Sequence, residues 1–444
     1  MPSATLQTGS SSYELLEYLS SDTTGTAKTS PVQATLSGNN KVANIRSQAG
    51  TSSTIDNLGI NAHGNFAGGS PAPIDDNRTN IFASVSNFNS NQGNGSDSLN
   101  IFGNVIGGNI FTDEGIPGSS VVSGPTAGDD LLRVKGNVEG FSSARSTIYT
   151  DDGDDTIRIG GNVDDTNIFM AEGDDKLDIG GNVENSFIST DGSGIGSDDA
   201  ASAGNDSVRI GGDVVNSSIQ TGAGGDTVII GGLFRDTTND STFASIETGS
   251  GNDSLVLGGG SQYSQFSTGS GSDTVNIKGN YQGTSFFLGS DTGTGDHFAA
   301  ARNTLFESGS QINSGNTGGD TLIFANGLQF WDSSMNLGSG ADSLIFGANA
   351  DFYGSTLATG AGPDTIVFGA NTAFEATTLN LGGSGNNVIW FNGDNALNDG
   401  GLSITGASAG DTLFIGAVAY GYNTGTSNFT LTDGTAWNTY GGLS

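Results

Sequence analysis

The sequence predicts an all-β fold: a right-handed parallel β-solenoid of about 14 coils with an irregular N-terminal region and a C-terminal cap. Three observations predict it: a recurring glycine-rich turn, apolar residues that alternate behind each turn, and a short repeat length. Glycine supplies 74 of the 444 residues, which suits a chain that turns sharply in every coil.

One residue, called the key residue here, ends each glycine turn. Successive key residues are 20 to 33 positions apart, and the longer intervals contain insertions such as IGSDDAASA and RDTTNDST. A short period with a constant turn is the signature of a solenoid. The key residues are Asp97, Asp130, Asp155, Asp175, Asp206, Asp226, Asp253, Asp273, Asp296, Asp320, Asp342, Asp364, Asn387 and Asp411.

Apolar residues follow the key residue at the second and fourth positions, as in Leu255 and Leu257 after Asp253. This period of two predicts a strand with one face turned inward. A second short strand is predicted before each glycine turn, with its apolar residue seven positions before the key residue, as Ile148 stands before Asp155.

A recurrent asparagine lies seven positions after the key residue. Stacked side-chain amides at this position predict a hydrogen-bonded ladder from coil to coil. The members are Asn104, Asn137, Asn162, Asn182, Asn280, Asn349 and Asn371, with Asp213 and Asp394 as substitutes.

The register of the repeat divides the chain into three predicted regions. Residues 1–90 form an irregular N-terminal cap or docking region, in which 34–69 resemble degenerate coils and 13–19 suit one short helix. Residues 91–416 form the solenoid. Residues 417–444 form a C-terminal cap, a secretion signal, or both, since terminal coils must be covered.

Charge and composition exclude several classes of protein. The 47 acidic and 13 basic residues give a net charge of −34, which disfavours nucleic acid and anionic lipid as partners. The absence of cysteine excludes disulfides and thiolate sites, and two histidines do not make a zinc site. No apolar run predicts a membrane span, and no cleaved N-terminal signal is expected if Met1 is the true start.

The glycine turns resemble the nonapeptide GGxGxDxUx of the RTX (repeats-in-toxin) family, where U is a large apolar residue. Gly269, Gly271, Asp273 and Val275 match it position by position. The chain departs from that pattern in two ways: threonine usually replaces the first glycine, and only one of the two turns in each coil carries the motif.

The resemblance implies that the turns bind Ca²⁺, a cation that takes several oxygen ligands at flexible geometry. Carboxylates stacked from coil to coil would otherwise repel one another. In the alternative interpretation, each aspartate accepts N–H groups of its own turn and no metal is needed. The predicted metal ligands are Asp130, Asp155, Asp175, Asp206, Asp226, Asp253, Asp273, Asp342 and Asp364.

The third residue after the key residue points outward and forms two different rows. The early coils place Arg133, Arg158, Asp178 and Arg209 there. Such a row suits either a cell-surface acidic polysaccharide or a salt-bridge ladder with Asp178 between Arg158 and Arg209, and the ladder is the favoured interpretation. No acid/base pair accompanies the arginines, so the sequence does not indicate an enzyme.

The later coils place apolar residues in the same outward row. An apolar stripe on the outside of a solenoid should not face water, so it is either covered by the chain itself or used as an interface with another copy. The predicted interface residues are Ile229, Val256, Ile323, Ile345, Val367, Trp390 and Phe414.

Taken together, these features predict a non-enzymatic, calcium-stabilised structural protein that self-assembles into a surface layer, sheath or extracellular filament. The RTX resemblance implies type I (ABC) secretion without a cleaved N-terminal signal. A trimeric virion fibre or decoration protein is the main alternative. A polysaccharide-processing enzyme or an adhesin is less favoured. Ice binding is disfavoured because the outward residues do not form a regular Thr-x-Thr array.

Overall fold

The structure is a computed structural model. It describes residues 78–91, 95–112, 128–141, 144–191, 204–238, 244–289, 295–315, 317–383, 385–393, 401–424 and 428–430, together with the backbone of five short strands before residue 62. The chain divides into two compact units, Met1–Thr227 (unit 1) and Val228–Ser444 (unit 2). The predicted helix at 13–19 lies outside the described residues.

Each complete coil contains three short strands. In the coil after Asp155, Thr156–Ile159 follows the glycine turn, Val163–Asp164 follows the asparagine turn, and Thr166–Phe169 leads to the next glycine turn. Asp165 separates the last two with a φ of 45°. The sequence predicted two strands per coil. The structure has three, because the segment between the asparagine turn and the next glycine turn is divided by a bend into two strands. We name the three parallel rows of strands S1, S2 and S3.

Unit 1 stacks these strands in parallel. S1 consists of Val42–Ile45, Arg78–Ile81, Ser98–Ile101, Leu131–Val134, Thr156–Ile159, Lys176–Ile179 and Ser207–Ile210, and Thr227–Ile230 spans the division between the units. The remaining strands are Ala4–Thr5, Val32–Thr35, Thr54–Asp56, Leu58–Asn61, Ser84–Asn91, Val105–Phe111, Val138–Glu139, Ser146–Tyr149, Val163–Asp164, Thr166–Phe169, Val183–Glu184, Phe187–Ser189, Val214–Val215 and Ser218–Gln220.

Unit 2 repeats the arrangement. S1 consists of Ser254–Leu257, Thr274–Ile277, His297–Ala300, Thr321–Phe324, Ser343–Phe346, Thr365–Phe368, Val388–Phe391 and Thr412–Ile415. S2 consists of Phe234–Arg235, Ser261–Gln262, Asn280–Gln282, Leu305–Glu307, Gln329–Trp331, Asp351–Tyr353 and Ala373–Glu375. S3 consists of Ala244–Glu247, Ser264–Ser267, Ser285–Phe287, Gln311–Asn313, Ser334–Asn336, Thr356–Ala358, Thr377–Asn380 and Leu402–Thr405.

These pairings confirm the parallel β-solenoid, and no helix occurs among the described residues. A strand of S1 follows every key residue. The solenoid has about 12 turns, which is slightly fewer than the 14 coils predicted. The coil after Asn387 has two strands in its described part. Thr412–Ile415 pairs with the antiparallel strand Val418–Asn423, which pairs with Asn428–Thr430. The handedness of the coil stays a prediction.

The predicted inward positions form the core. In unit 1, Ile157 pairs with Leu177, Ile159 pairs with Ile179, and all four side chains are buried. Because the same position recurs in every coil, aliphatic side chains lie on aliphatic side chains along the stack, and apolar area is removed from water at each rung. S2 adds a column of valines, Val105, Val138, Val163, Val183 and Val214.

Aromatic rings fill much of the corresponding core of unit 2. Phe346 and Phe368 stack with ring centroids 5.2 Å apart, and Phe368 stacks on Phe391 at 4.9 Å. Phe352 of S2 meets Phe346 edge to face at 4.9 Å and stacks on Phe374 at 5.3 Å. Such pairs add roughly 0.5–1.5 kcal/mol each beyond the burial of their area.

The asparagine ladder is formed, in two versions. In unit 1, the Asn137 backbone N–H donates to Oδ1 of Asn104 at 2.9 Å, and the Asn162 N–H donates to Oδ1 of Asn137 at 3.0 Å. In unit 2, Nδ2 of Asn371 donates to Oδ1 of Asn349 at 3.2 Å. The ladder therefore fixes the turn between S1 and S2 from coil to coil.

Parallel pairing begins before residue 91. Arg78–Ile81 pairs with Ser98–Ile101, and Val42–Ile45 pairs with Arg78–Ile81, which agrees with the hypothesis of degenerate coils there. The predicted boundaries near residues 90 and 416 stay predictions. Across the described residues, no helix has the length and apolarity that a bilayer crossing requires.

Candidate functional site

The key residues form one continuous column in each unit. The Asp130 backbone N–H donates to Oδ1 of Asp155 at 2.8 Å, and the Asp155 N–H donates to Oδ1 of Asp175 at 2.9 Å. In unit 2, the Asp320 N–H donates to Oδ1 of Asp342 at 2.8 Å. The same bond joins the pairs Asp97–Asp130, Asp175–Asp206, Asp206–Asp226, Asp253–Asp273, Asp273–Asp296, Asp296–Asp320, Asp342–Asp364, Asp364–Asn387 and Asn387–Asp411.

The glycine turn makes this column possible. Gly173, two residues before Asp175, has a φ of 139°, and a Cβ atom there would lie 2.1 Å from the carbonyl oxygen of Gly153 in the preceding coil. Only glycine permits both this conformation and this approach. Successive turns can therefore lie close enough for each aspartate to reach its neighbour.

The interpretation that each aspartate accepts N–H groups of its own turn is wrong for this ladder, because the donor belongs to the preceding coil. Asp411 combines both arrangements: its Oδ1 accepts from Asn387 and its Oδ2 accepts the Ser408 N–H of its own turn at 2.6 Å. The ladder is a backbone-to-carboxylate bond between coils, which the sequence does not reveal.

The second carboxylate oxygen of several key residues is buried without a hydrogen-bond partner. This holds for Oδ2 of Asp175 and Asp342, and both residues are at most 2% exposed. The Oδ2 atoms of Asp130, Asp155 and Asp364 have no partner at good geometry either, but hydrogen bonds from the Thr112, Thr150 and Thr359 hydroxyls lower the pKa of these three carboxyl groups. An unsatisfied buried carboxylate oxygen is costly, so it requires either a proton or a cation. Asp175 lies in unit 1 and Asp342 in unit 2, and both belong to the predicted ligand set.

The other four predicted ligands are equally buried: Asp206 and Asp226 lie in the column of unit 1, and Asp253 and Asp273 lie in the column of unit 2. Asp206 differs because its Oδ2 accepts the Thr190 hydroxyl. The structure therefore brings all nine predicted residues into aligned columns, five in unit 1 and four in unit 2. Their role as metal ligands stays a proposal.

Burial dominates the titration of the column. It raises the pKa of Asp130 to about 8, and burial together with the neighbouring Asp130 raises the pKa of Asp155 to about 9. Burial and the charges of Asp155 and Asp206 raise the pKa of Asp175 to about 10. In unit 2, burial raises the pKa of Asp342 to about 7. Without a compensating cation, these carboxyl groups hold protons well above their ordinary range.

Asp191 was not predicted as a site residue. It is 2% exposed, and its Oδ2 accepts the Ala223 N–H at 2.8 Å. Burial raises its pKa to about 7. The sequence did contain a signal: the phrase Thr190-Asp191-Gly192-Ser193-Gly194 begins like a glycine turn before the long insertion.

The column fits a hard cation in its donor chemistry, since the orphaned atoms are carboxylate oxygens, which Ca²⁺ prefers. Asn387 is the natural exception. Its Oδ1 accepts the Asp364 N–H at 2.9 Å, and its Nδ2 donates to the carbonyl oxygen of Leu381 at 3.2 Å. This rung keeps the ladder without a charge. Among the described residues, no group of three or more histidine, aspartate or glutamate side chains could hold a metal ion. Turn carbonyls would have to complete any ligand set.

The arginine row is in register but only half of the favoured salt-bridge ladder forms. Arg133 pairs with Arg158, Arg158 with Asp178, and Asp178 with Arg209. Nη1 of Arg209 lies 3.7 Å from Oδ1 of Asp178. Within the described part of the chain, Arg133 and Arg158 form no ion pair. The prediction that Asp178 would bridge both neighbours is therefore wrong for Arg158.

Six of the predicted interface residues form one outward column on S1 of unit 2. Ile323, Ile345 and Val367 pair in sequence, and Trp390 stacks on Phe414 with ring centroids 3.8 Å apart. Val256 begins the column, and its next two members are Asn276 and Ala299. Ile229 is half-buried on Thr227–Ile230. These side chains remain half-buried because rungs shield one another.

Comparison with solved structures finds a hyperactive, Ca²⁺-dependent, β-helical antifreeze protein from an Antarctic bacterium. It is 20% identical, has a TM-score of 0.46, and the match covers 73% of this chain and 82% of that one. The properties in that description belong to the other protein. No family model matches the chain, and no curated protein does. The likeness of the glycine turns to RTX repeats therefore stays a resemblance.

Proposed function

We propose that this protein is a non-enzymatic structural β-solenoid whose aspartate columns bind calcium and whose apolar column joins it to further copies outside the cell. The orphaned Oδ2 atoms carry the calcium part of the proposal. They are clearest at Asp175 in unit 1 and at Asp342 in unit 2, which have no threonine hydroxyl beside them. A calcium ion would supply the positive charge that these oxygens lack.

The hydrogen bonds between coils position the carboxylates. In each such bond Oδ1 accepts a backbone N–H of the preceding coil, as Oδ1 of Asp175 accepts the Asp155 N–H, and this bond orients the carboxylate. Oδ2 is thereby held at a fixed place in the buried column. Burial and the neighbouring negative charges raise the pKa of Asp175 and so disfavour its ionised form. A cation shared along the column would stabilise the ionised form.

The test is thermal unfolding at pH 8 with calcium or with a chelator, together with the calcium content after dialysis. We expect calcium to raise the melting temperature. Asp175→Asn should reduce both the calcium response and the bound calcium, because the amide keeps the Oδ1 acceptor but loses the charge, as Asn387 does naturally. Asp178→Asn is the matched control, three residues away on the outer face, and should leave both unchanged.

Equal melting temperatures in calcium and chelator would contradict the calcium proposal. In that case, protonated aspartates would satisfy the column, and the metal-free Asp175→Asn variant would still be more stable than the parent at pH 8. An equal loss of calcium response in both variants would instead indicate general charge screening.

The apolar column of unit 2 supports self-association. Ile323, Ile345 and Val367 pair in register on adjacent strands. On one side of them lies a column of small hydroxyl residues, such as Ser343 and Thr365, and on the other side lie small residues such as Gly347. A ridge of branched apolar side chains flanked by shorter residues leaves space on either side into which a second apolar ridge can pack. The proposed occupant is the same ridge of a second copy, because a shared ridge makes a self-complementary contact.

Sedimentation measurements test this part. Replacing Ile323, Ile345 and Val367 by threonine keeps the β-branched shape and should shift the protein to monomers. Ser343→Thr with Thr365→Ser is the matched control in the adjacent column. A dimer is what the ridge-to-ridge contact alone produces, and it would support that contact. A closed trimer in the parent would favour the virion-fibre alternative, whereas open chains or sheets would require a further contact and would favour a surface layer or filament. A monomeric parent at high concentration would refute self-association.

The extracellular location and the type I route are proposed from the RTX resemblance and from the pattern of Gly269, Gly271 and Asp273. Detection of the chain in culture supernatant, dependent on an ABC exporter, tests them. Retention inside cells would contradict the route without affecting the calcium proposal.

A further inference from the structure

A groove of about 450 Å³ lies on the outer face of S1 in unit 1. Its floor is formed by strands that begin at Ser98 and extend to Ser207–Ile210. Its polar wall is formed by the outward arginine row and by Lys135, which directly follows the strand Leu131–Val134. Nothing in the aspartate column or the apolar ridge uses this surface.

The groove concentrates positive charge in an acidic protein. The chain has 13 basic residues against 47 acidic ones, yet Arg133, Lys135, Arg158 and Arg209 all line this one groove, where Asp178 is the single acid. A composition this acidic would rarely gather four cations by chance. The positive charge of the groove is therefore a local feature, and it calls for an explanation separate from the overall acidity of the chain.

The register places like charges directly opposite each other. Arg133 and Arg158 are Cα partners in adjacent strands, both are exposed, and among the described residues neither has a carboxylate partner. Like charges in directly opposed positions destabilise a sheet. An anionic ligand would turn this repulsion into two charge-assisted contacts, because a guanidinium presents paired donors to a carboxylate.

Glycine creates the hollow beside the row. Lys135 and Gly160 hold equivalent positions, since the Lys135 N–H donates to Ile101 and the Gly160 N–H donates to Val134. A Cβ atom on Gly160 would lie 2.4 Å from the Lys135 carbonyl oxygen, so only glycine fits. Without side chains there, the arginine row has open space along its flank.

An exposed aromatic ring lies at one end of the groove. Phe102 is 49% exposed and stacks on Phe82 with ring centroids 4.6 Å apart and an interplanar angle of 9°. A rigid, half-exposed ring next to charged side chains supplies an apolar surface for the C–H face of a sugar.

We propose that this groove binds an extended acidic polysaccharide of the polyuronate type, with its chain running along the stack and its carboxylates at Arg133, Arg158 and Arg209. Successive rungs are about 4.8 Å apart, a spacing similar to that of successive sugars in such a chain, which carries one carboxylate per sugar. Nucleic acid fits less well, because duplex DNA carries a charge about every 1.7 Å.

Binding of a polygalacturonate decamer to the full chain, measured by calorimetry in calcium, tests the proposal. A repeat in chelator, at a pH where the metal-free chain is shown to stay folded, separates direct binding from calcium bridging. The double variant Arg133→Gln/Arg158→Gln should weaken binding at least tenfold. Lys278→Gln is the matched control: Lys278 follows its S1 strand as Lys135 does, but its neighbours in the outward row are Asn276 and Ala299. Its affinity should be unchanged.

A neutral glucan of the same length should not bind. No binding of the decamer, equal binding of a single-stranded oligonucleotide, or an equal loss in both variants would overturn the proposal. The double variant should melt at the same temperature or slightly higher, because it removes two opposed cations. Its calcium response should equal that of the parent, so failure here is distinct from failure of the calcium proposal.

Discussion

Units 1 and 2 share the same coil but differ in the core and on the outer face. Both carry the ladder in which a backbone N–H donates to the next key residue, as at Asp155–Asp175 and Asp342–Asp364. Unit 1 encloses columns of isoleucine, leucine and valine and shows arginines outside. Unit 2 encloses stacked phenylalanines and shows an apolar column outside.

The difference teaches that the turn, and not the core, sets the repeat. The glycine turn and its key residue fix the approach of successive coils, so the interior accepts any side chain that stacks well on a copy of itself. Aliphatic and aromatic columns are both solutions. The outer face is free of this constraint, because its side chains affect the stacking little, and it can therefore diverge between units.

The largest expected effect is the pH dependence of the metal-free protein. Folded-state pKa values raised above the ordinary 3.8 mean that stability is complete below about pH 4 and is lost as pH rises through the raised values. For unit 1 these are about 8 for Asp130, about 9 for Asp155 and about 10 for Asp175, whereas Asp342 in unit 2 is at about 7.

Hydrogen exchange in chelator, corrected for the intrinsic rate at each pH, checks this for each unit separately. Protection at Asp342 should stop falling near pH 7, whereas protection at Asp155 and Asp175 should keep falling to about pH 9 and 10 and lose more in total, because each group destabilises the fold only between its unfolded and folded pKa values. Calcium should restore protection most at high pH, where protons no longer compete. Protection that does not change between pH 4 and pH 10 would contradict the expected linkage.

The next effect concerns the cores. Phe352→Ala removes a ring that touches Phe346 and Phe374 and should lower the local free energy of unfolding in unit 2 by about 3–5 kcal/mol. Ile168→Val in unit 1 should cost about 0.5–1.5 kcal/mol. Native-state hydrogen exchange in urea measures both. A cost for Phe352→Ala no greater than that for Ile168→Val would show that ring stacking is not what holds the coils of unit 2.

The smallest effect concerns the outer face. Arg209→Gln removes an exposed ion pair with Asp178 and should change stability by about 0.2–1 kcal/mol. Lys278→Gln in unit 2 is the control, and its effect on the free energy of unfolding should be smaller than that of Arg209→Gln. Urea unfolding at low and high salt checks this, because salt should abolish the difference. A larger, salt-independent loss would mean that the arginine row supports the fold.

Most of the coil was predictable from the sequence. The alternation after each key residue predicted the buried pairs, such as Ile157 and Leu177, because a strand has a fixed period of two. The recurrent asparagine predicted a ladder of side-chain amides, seen at Asn349 and Asn371, whereas at Asn137 and Asn162 the donor is a backbone N–H. The bend at Asp165 was not predictable, because a φ of 45° at a non-glycine residue leaves no strong mark in the sequence.

The candidate site was predicted in position but not in bonding. All nine predicted aspartates lie in the columns, but the backbone donor to a carboxylate such as Asp155 or Asp273 lies a whole coil away in the sequence. Asp191 enters the site at the start of a long insertion. Thr190 stands two residues after the buried Ile188, as Thr150 stands after Ile148, but its bond to Asp206 spans the insertion. Such contacts depend on how coils meet, which local patterns do not specify.

The sequence by itself determined that like residues would lie on like residues, since the same glycine turn and the same alternation recur in each coil whatever the length of the insertion between them. Only the tertiary structure decided what the carboxylates do with their two oxygens. Oδ1 accepts a backbone N–H of the neighbouring coil, as at Asp175. Oδ2 is buried away from water at Asp130, Asp155 and Asp175. The reason is distance: backbone groups of separate coils come within hydrogen-bond reach only once the chain has wound.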